Sequence, residues 1–264
     1  MRKSIQFKGA ECFYKVKGKG KTLVLLHGFI EEGSMWNELA KSLSKKYQLI
    51  IPDLPGFGKS QLPSSPISME LYAELVFEIL KGEKLKSVIM FGHSMGGYIA
   101  LHFAEKHENM LQGLGLINSH CFADTDSKKE NRKKGIEHMR RYGTKTFVRE
   151  LYLAIFHDLF KKKNPLLINS MIKKAQQYSV DALTGANTAM MNRRNKSEVL
   201  KNMSVPVLLI SGKEDETVPL ELTLKQASFA NATDFHLFKN SKHMTVFEHK
   251  KEVIKIIGEF CRRA

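Results

Sequence analysis

Cysteine is scarce in this chain of 264 residues, which contains only Cys12, Cys121 and Cys261. An odd number of widely separated cysteines, without a Cys-x-x-Cys pair, excludes a disulfide framework and a cysteine-based zinc site. We therefore expect reduced thiols, as in a cytosolic protein.

Long apolar runs are also lacking. No stretch approaches the roughly 20 apolar residues that a membrane-spanning helix needs. The N-terminal segment Met1–Lys8 is charged and is followed by no apolar segment of the kind found in secretory signals. These absences predict a cytoplasmic protein without a membrane span.

Acidic residues are few relative to basic ones, because 27 Asp and Glu stand against 42 Lys and Arg, a formal net charge of +15. Such an excess is a feature of nucleic-acid-binding proteins. Here no recognisable nucleic-acid module is present, and the aromatic residues are not interleaved with the basic ones as base stacking requires. We expect no nucleic-acid partner and attribute the charge to solubility.

Phosphate-binding and metal-binding patterns are incomplete. Lys59-Ser60 follows Gly58 like the end of a phosphate-binding loop, but that motif requires glycine where Asp53 stands. Asp53 is expected to hold its own turn through local hydrogen bonds. His27 and His93 lie in glycine-containing turns without a further cluster of ligands at metal-binding spacing. We therefore expect neither a cofactor nor a metal ion.

The chain does contain a regular alternation of apolar runs and helical patterns. The runs are typical of strands buried on both faces, and they occupy Thr22–Leu26, Tyr47–Ile51, Ser87–Phe91, Gly113–Asn118, Val205–Ile210 and 233–238. Residues 4–16 predict an edge hairpin. The alternation predicts βα units and a mostly parallel sheet.

Between residues 119 and 203 the alternation stops and only helical patterns occur, at 128–141, 145–160, 165–178 and 179–192. We expect an all-helical insertion at 119–203 in a core domain formed by 1–118 and 204–264.

Much of the basic excess lies in the predicted insertion, since residues 120–201 contain 18 Lys and Arg but 8 Asp and Glu. One cluster consists of Lys128, Lys129, Arg132, Lys133 and Lys134, and a second of Lys161, Lys162 and Lys163. Solvated helix faces explain such clusters. The alternative is a one-signed cleft that attracts substrates bearing a carboxylate or phosphate.

One motif indicates nucleophilic chemistry. In Gly92-His93-Ser94-Met95-Gly96, a serine between glycines joins a predicted strand to a predicted helix. Such a turn is strained and projects the serine hydroxyl from the sheet edge. A Cβ at Gly92 or Gly96 would collide across the turn, while Gly97 lets the helix approach the strand.

A serine hydroxyl is a poor nucleophile without a nearby base that a carboxylate orients. Asp215, beside Glu214, follows a predicted buried strand, and His243 lies between the last strand and the last helix. Loops at the carboxyl ends of parallel strands gather at one edge of the sheet. Glu214 remains an alternative acid on this argument.

Together these motifs resemble the α/β-hydrolase family, in its compact cap-bearing branch of small esterases, enol-lactonases, haloperoxidase-like enzymes and carbon–carbon bond hydrolases. The matching elements span nearly the whole chain, at His27-Gly28-Phe29, 53–60, 92–97, 212–219 and His243. The resemblance implies an α/β-hydrolase fold, with an eight-stranded, mostly parallel sheet flanked by helices and a helical cap. It implies Ser94 as nucleophile, His243 as base and Asp215, rather than Glu214, as the orienting acid.

The resemblance also implies an oxyanion hole formed by the backbone N–H groups of Phe29 and Met95. The candidate substrate-binding residues are His27, Trp36, His93, Phe122, Phe147 and Met190. Packing or hydrogen bonding of the active-site loops also explains the two histidines, and anchoring of a helix explains Trp36. Phe147 and Met190 also fit the cap's own core.

We therefore expect a metal-independent serine hydrolase that cleaves a small-molecule ester, thioester or lactone through an acyl-enzyme on Ser94. Cleavage of a carbon–carbon bond by the same triad, and a non-enzymatic receptor on the same fold, remain as alternatives.

Overall fold

The computed structural model describes residues 1–229 and 233–264, and in these residues eight strands form one sheet. The strands are β1 (Arg2–Phe7), β2 (Ala10–Lys17), β3 (Thr22–Leu26), β4 (Gln48–Pro52), β5 (Val88–His93), β6 (Leu111–Ile117), β7 (Val207–Gly212) and β8 (Thr233–Phe238). Their order across the sheet is β1-β2-β4-β3-β5-β6-β7-β8. The pairs β1–β2 and β2–β4 are antiparallel and the other five pairs are parallel. The predicted sheet and its edge hairpin are confirmed.

Helices connect most of the strands and cover both faces of the sheet. They are α1 (Asn37–Leu43), α2 (Met69–Gly82), α3 (Met95–His107), α4 (Asp126–Tyr142), α5 (Lys145–Ile155), α6 (Asp158–Lys163), α7 (Pro165–Ala175), α8 (Val180–Met191), α9 (Ser197–Lys201), α10 (Leu220–Ala227), α11 (Thr245–Glu248) and α12 (Lys250–Arg263). Residues 118–206 are all described and contain α4 to α9 but no strand. Within the described chain, no helix is long and apolar enough to cross a bilayer.

The single helix predicted over 145–160 is wrong, because the structure has two helices there, α5 and α6. Phe156 between them has an extended backbone, with φ −98° and ψ 143°. His157 then caps α6, since its Nδ1 accepts a hydrogen bond from the Leu159 N–H at 3.2 Å. The His157 N–H donates to Glu248 Oε1 at 2.6 Å. Such local and tertiary hydrogen bonds favour a break that apolar periodicity does not reveal.

Strand β3 is buried on both faces, as its continuous apolar sequence predicts. Val24 and Leu26 pack with residues of α2 and α3, while Leu23 and Leu25 pack with residues of α1 and α12. Burial of both faces requires helices on both sides of the sheet. Because helices cover both faces of the sheet, the loops at the carboxyl ends of the central strands are where a site can form.

The turn between β5 and α3 places severe demands on the backbone. Ser94 has φ 51° and ψ −115°, a conformation that residues other than glycine rarely adopt. A Cβ at Gly92 would collide with the backbone of Gly96, and a Cβ at Gly96 would collide with the backbone of Leu26 and His27. Both glycines are therefore required by the close approach of backbone segments.

This close approach predicts that the same substitution has opposite effects at two helical glycines. Gly96→Ala should lower the free energy of unfolding by on the order of a few kcal/mol, because no flexible side chain can move aside. Gly258→Ala on α12 should raise it by up to about 1 kcal/mol, since a Cβ there has open space around it. Urea denaturation of both variants measures the difference. Equal stability of the two variants would contradict the proposed crowding.

Candidate active site

The loop after β7 carries Asp215, whose buried carboxylate is surrounded by hydrogen-bond donors. Oδ1 accepts from the N–H groups of Thr217 at 2.8 Å and Val218 at 2.9 Å. Oδ2 accepts from Asn118 Nδ2 at 3.0 Å and from His243 Nδ1 at 2.8 Å. Burial raises the pKa of Asp215, but the charge and hydrogen bond of His243, with the other donors, lower it below its usual range. Asp215 therefore stays ionised and orients the imidazole ring.

Glu214, the alternative acid, is directed elsewhere. Its Oε2 lies 3.3 Å from His157 Nε2, and its side chain is 46% exposed. The geometry therefore favours Asp215 over Glu214 as the partner of His243.

His243 and Ser94 line the same cavity, which has a volume of about 420 Å³. Because Asp215 binds Nδ1 of His243, the proton lies on Nδ1 and Nε2 is the basic nitrogen. In the part of the chain that the structure describes, the Ser94 hydroxyl has no hydrogen-bond partner. Contacts between nucleophile and base are often long without substrate and shorten when substrate binds. The arrangement is suited to activation of a serine by a histidine.

His93, the last residue of β5, supports His243. Its Nε2 donates to the His243 carbonyl oxygen at 2.9 Å, and the two ring centroids are 5.1 Å apart. Burial, and then the nearby charge of His243, lower the pKa of His93 to about 3, so the ring is neutral. A Cβ at Gly28 would lie 2.7 Å from His93 Nδ1. Among the described residues no group of three or more His, Cys, Asp or Glu side chains is arranged to hold a metal ion.

Neither of the two predicted oxyanion donors is bound to another group of the described residues. The N–H groups of Phe29 and Met95 have no hydrogen-bond acceptor among the described residues, and Phe29 lines the cavity. His27 holds the Phe29 loop in place, because its Nε2 accepts from the Leu54 N–H at 2.9 Å and its Nδ1 lies 2.8 Å from the Gly28 oxygen. Fixed backbone donors beside a nucleophile are what stabilisation of an oxyanion requires.

The helices between β6 and β7 contact Ile30 and Glu31, which follow Phe29 in this loop. Ile30 has φ 60°, an unfavourable value for a β-branched residue. Tyr152 on α5 donates to Glu31 Oε1 at 2.7 Å and contacts the Ile30 oxygen at 3.3 Å. The Tyr178 hydroxyl lies 3.4 Å from the Glu31 carbonyl oxygen. A strained loop conformation is therefore maintained by contacts from another part of the chain.

The carboxyl group of Glu31, which accepts the Tyr152 hydrogen bond, has an unusual pKa. Burial raises its pKa to about 8, against the opposing effects of the Tyr152 hydrogen bond and the Lys174 charge. The carboxyl group is therefore mostly protonated at neutral pH.

The structure corrects three of the predictions for the substrate pocket. Phe147 and Met190 line the cavity, as does His93. Trp36 does not, because it is fully buried on the opposite face of the sheet, with α1 and α12. His27 is buried and its ring nitrogens are engaged within the loops. Phe122 lies outside the cavity and packs against neighbouring aromatic rings.

Other residues at the site were not named individually as site residues in the sequence analysis. Asn118 ends the β6 run with φ 47° and binds Asp215, and a polar residue at the end of a buried strand was an available signal. Tyr98, Lys128 and Arg132 line the cavity. The two basic residues belong to a noted cluster, but periodicity does not reveal which of its members face inward.

Comparisons with known proteins agree with this fold. A family model described as the alpha/beta hydrolase fold matches residues 21–142. A thermophilic esterase from Thermogutta terrifontis, solved with malate bound, superposes with a TM-score of 0.92. That structure is 26% identical and the match covers 100% of this chain and 98% of the esterase.

Two curated proteins are similar over nearly the whole chain. The 2-hydroxy-6-oxo-6-(2'-aminophenyl)hexa-2,4-dienoic acid hydrolase of Metapseudomonas resinovorans is 24% identical over 97% of this chain and 89% of its own length. The pimeloyl-[acyl-carrier protein] methyl ester esterase of Vibrio cholerae is 25% identical over 95% of this chain and 98% of its own length.

Glu31 predicts a specific pH dependence of stability. Its pKa is raised from 4.5 to about 8 in the folded protein, so the stabilisation from the neutral carboxyl is complete below about pH 4.5 and is lost as the pH rises through 8. Between pH 5 and pH 8, wild type should lose on the order of a few kcal/mol of unfolding free energy more than Glu31→Gln.

Denaturant titrations at both pH values measure this difference. Glu38→Gln is the control, because the hydrogen bonds from Lys41 and Lys250 hold the pKa of Glu38 below its usual range. Glu38→Gln should therefore show the same change in unfolding free energy between pH 5 and pH 8 as wild type. If Glu31→Gln showed the same change in unfolding free energy between the two pH values as wild type, Glu31 would be ionised in the folded protein.

Proposed function

The chain belongs to the α/β-hydrolase superfamily and is a hydrolase, and on this premise we propose that it cleaves a small-molecule carboxylic ester, thioester or lactone through an acyl-enzyme on Ser94. The observation that carries the proposal is the 2.8 Å contact between buried Asp215 and His243 Nδ1, at the cavity that Ser94 also lines. That contact prepares Nε2 of His243 to act as a base.

The proposed reaction has two stages. Ser94 Oγ attacks the substrate carbonyl carbon while His243 Nε2 takes the hydroxyl proton, and the leaving alcohol, or the thiol of a thioester, then receives that proton. Water, deprotonated by His243, then attacks the acyl-enzyme; the bond to Ser94 Oγ breaks, Oγ takes the proton back from His243, and the acid is released. In both stages the N–H groups of Phe29 and Met95 stabilise the oxyanion, and Asp215 stabilises the imidazolium.

We further propose that residues 119–203 form a cap over the core formed by 1–118 and 204–264. The cavity in which Ser94 lies is lined by Phe147, Leu151 and Met190 of this segment. A cavity of about 420 Å³ suits a small molecule, and water excluded by the cap would strengthen the electrostatic interactions within it.

Cleavage of a carbon–carbon bond is the second candidate. The relative from Metapseudomonas resinovorans is named for a hydroxy-oxo dienoic acid, a compound that has a ketone and no ester. Hydrolysis of such a compound breaks a carbon–carbon bond, and a Ser-His-Asp site on the same fold is compatible with either reaction.

The proposed roles predict which substitutions abolish activity. Ser94→Ala should eliminate labelling by a fluorophosphonate probe, and Asp215→Asn should reduce kcat by up to ~10⁴-fold because the histidine loses its oriented tautomer. Glu214→Gln is the matched control, since that side chain is half exposed and pairs with His157, and it should stay within about twofold of wild type. Turnover in Ser94→Ala close to that of wild type would remove Ser94 as the nucleophile.

The two candidate reactions are separated by a substrate panel. We expect kcat/KM for short p-nitrophenyl esters to exceed that for a 2-hydroxy-6-oxohexa-2,4-dienoic acid by about 10²-fold or more, if ester cleavage is the function. Release of p-nitrophenol and loss of dienoate absorbance measure the two rates. The reverse ratio would favour carbon–carbon bond hydrolysis.

A further inference from the structure

Two of the basic residues on α4 face the cavity, and their neighbours do not. Lys128 and Arg132, one helical turn apart, both line it. Lys129 pairs with Asp126 at 3.6 Å and Lys133 with Glu130 at 3.8 Å, each in an i,i+3 contact on the helix surface. The basic cluster on this helix is therefore divided between a solvated face and a cavity wall.

The cavity-facing pair is only partly neutralised. Arg132 Nε binds Asp124, and its Nη1 donates to Asn187 Oδ1 at 2.8 Å. The second oxygen of Asp124 is taken by Arg193 at 2.7 Å. Lys128 Nζ donates at 2.6 Å to a neutral acceptor, the Thr217 carbonyl oxygen.

Unused donors remain after these contacts are made. Within residues 1–229 and 233–264, Arg132 Nη2 has no hydrogen-bond acceptor and Lys128 has no carboxylate within 4.0 Å. The single carboxylate of Asp124 thus faces two guanidinium groups, and Lys128 forms no ion pair of its own.

Other charged groups near the cavity do not change this balance. Glu216 lines the cavity, but its side chain is 84% exposed and lies 3.3 Å from Lys242 Nζ. Asp215 is committed to His243. Burial, and then the charge of Arg132, lower the pKa of Lys128. Burial and the nearby cations Arg193, Lys128 and Arg132 also hold the pKa of His120 well below its usual range, so it adds no charge.

We propose that Lys128 and Arg132 form a binding site for a free carboxylate on the substrate, so that the substrate is a short ester, thioester or lactone of an acid that bears a second, unesterified carboxyl group. The proposal rests on the hydrolase function proposed above. A carboxylate has two oxygens, which match one guanidinium N–H and one ammonium group.

The position of Lys128 relates this site to the reacting bond. Its Nζ is bound to the carbonyl of Thr217, whose N–H binds Asp215 Oδ1. Ser94, His243, Lys128 and Arg132 line one cavity of about 420 Å³. One small molecule can therefore have its carbonyl group at Ser94 and its carboxylate at Lys128 and Arg132.

The test compares three methyl esters of equal chain length. Monomethyl adipate carries the carboxylate, methyl adipamate replaces it with a neutral amide of similar shape, and methyl hexanoate ends in a methyl group. We expect wild type to prefer monomethyl adipate over methyl adipamate by about tenfold or more in kcat/KM, chiefly through KM. Methanol release measures all three rates.

Variants locate the origin of this preference. Lys128→Gln should lower the ratio of the two kcat/KM values by about tenfold, and Lys128→Arg should restore most of it because the charge returns. Lys133→Gln removes the same charge from the exposed face of the same helix and should leave the ratio unchanged. A wild-type ratio near one, or equal losses in Lys128→Gln and Lys133→Gln, would overturn the proposal.

A binding experiment separates this proposal from the hydrolase function itself. Calorimetry with Ser94→Ala protein, which needs no turnover, should detect adipate binding that weakens by about tenfold when Lys128→Gln is added. Adipate binding that depends on Lys128 would support the site even if no ester were cleaved. Absence of adipate binding, or tighter binding of inorganic phosphate, would overturn it even if neutral esters were cleaved.

Discussion

The close contact between the β5–α3 turn and the end of β3 is the constraint on which the site depends. Because Gly96 has no side chain, its backbone approaches the backbone of Leu26 and His27. This contact sets Ser94 and the Met95 N–H beside the loop that carries the Phe29 N–H. The proposed nucleophile Ser94 and the proposed oxyanion donor Phe29 lie about 65 residues apart in the sequence, so their alignment is a property of the packed sheet.

Buried polar groups extend this constraint to the other loops. Asp215 is ionised although buried, because its oxygens accept hydrogen bonds from two backbone N–H groups, Asn118 and His243. His93 stays neutral and holds the His243 backbone. The loops after β5, β6, β7 and β8 are thus joined in one hydrogen-bonded network. Loss of one of these hydrogen bonds would cost stability, and a shifted loop would misalign the proposed triad.

The helices between β6 and β7 have two distinct relations to this network. Through Tyr152 they hold the strained loop at Ile30 and the protonated Glu31. Through Lys128 and Arg132 they place positive charge in the cavity. The first relation concerns the alignment of the proposed oxyanion donor, and the second concerns the proposed preference for substrates that bear a carboxylate. The proposed cap would then contribute to both catalysis and specificity.

The sequence by itself determined the sheet, most helices and the placement of Ser94, Asp215 and His243 at one edge of the sheet, because strand periodicity, turn glycines and the order of loops are local properties. It did not determine the break at Phe156, the burial of Trp36 behind the sheet, or the inward direction of Lys128 and Arg132 within a uniformly basic cluster. Each of these depends on contacts with distant residues, such as Glu248 for the break and Thr217 for Lys128. Sequence periodicity predicts that a helix or strand has a distinct face, and only the tertiary structure decides which residues that face contacts.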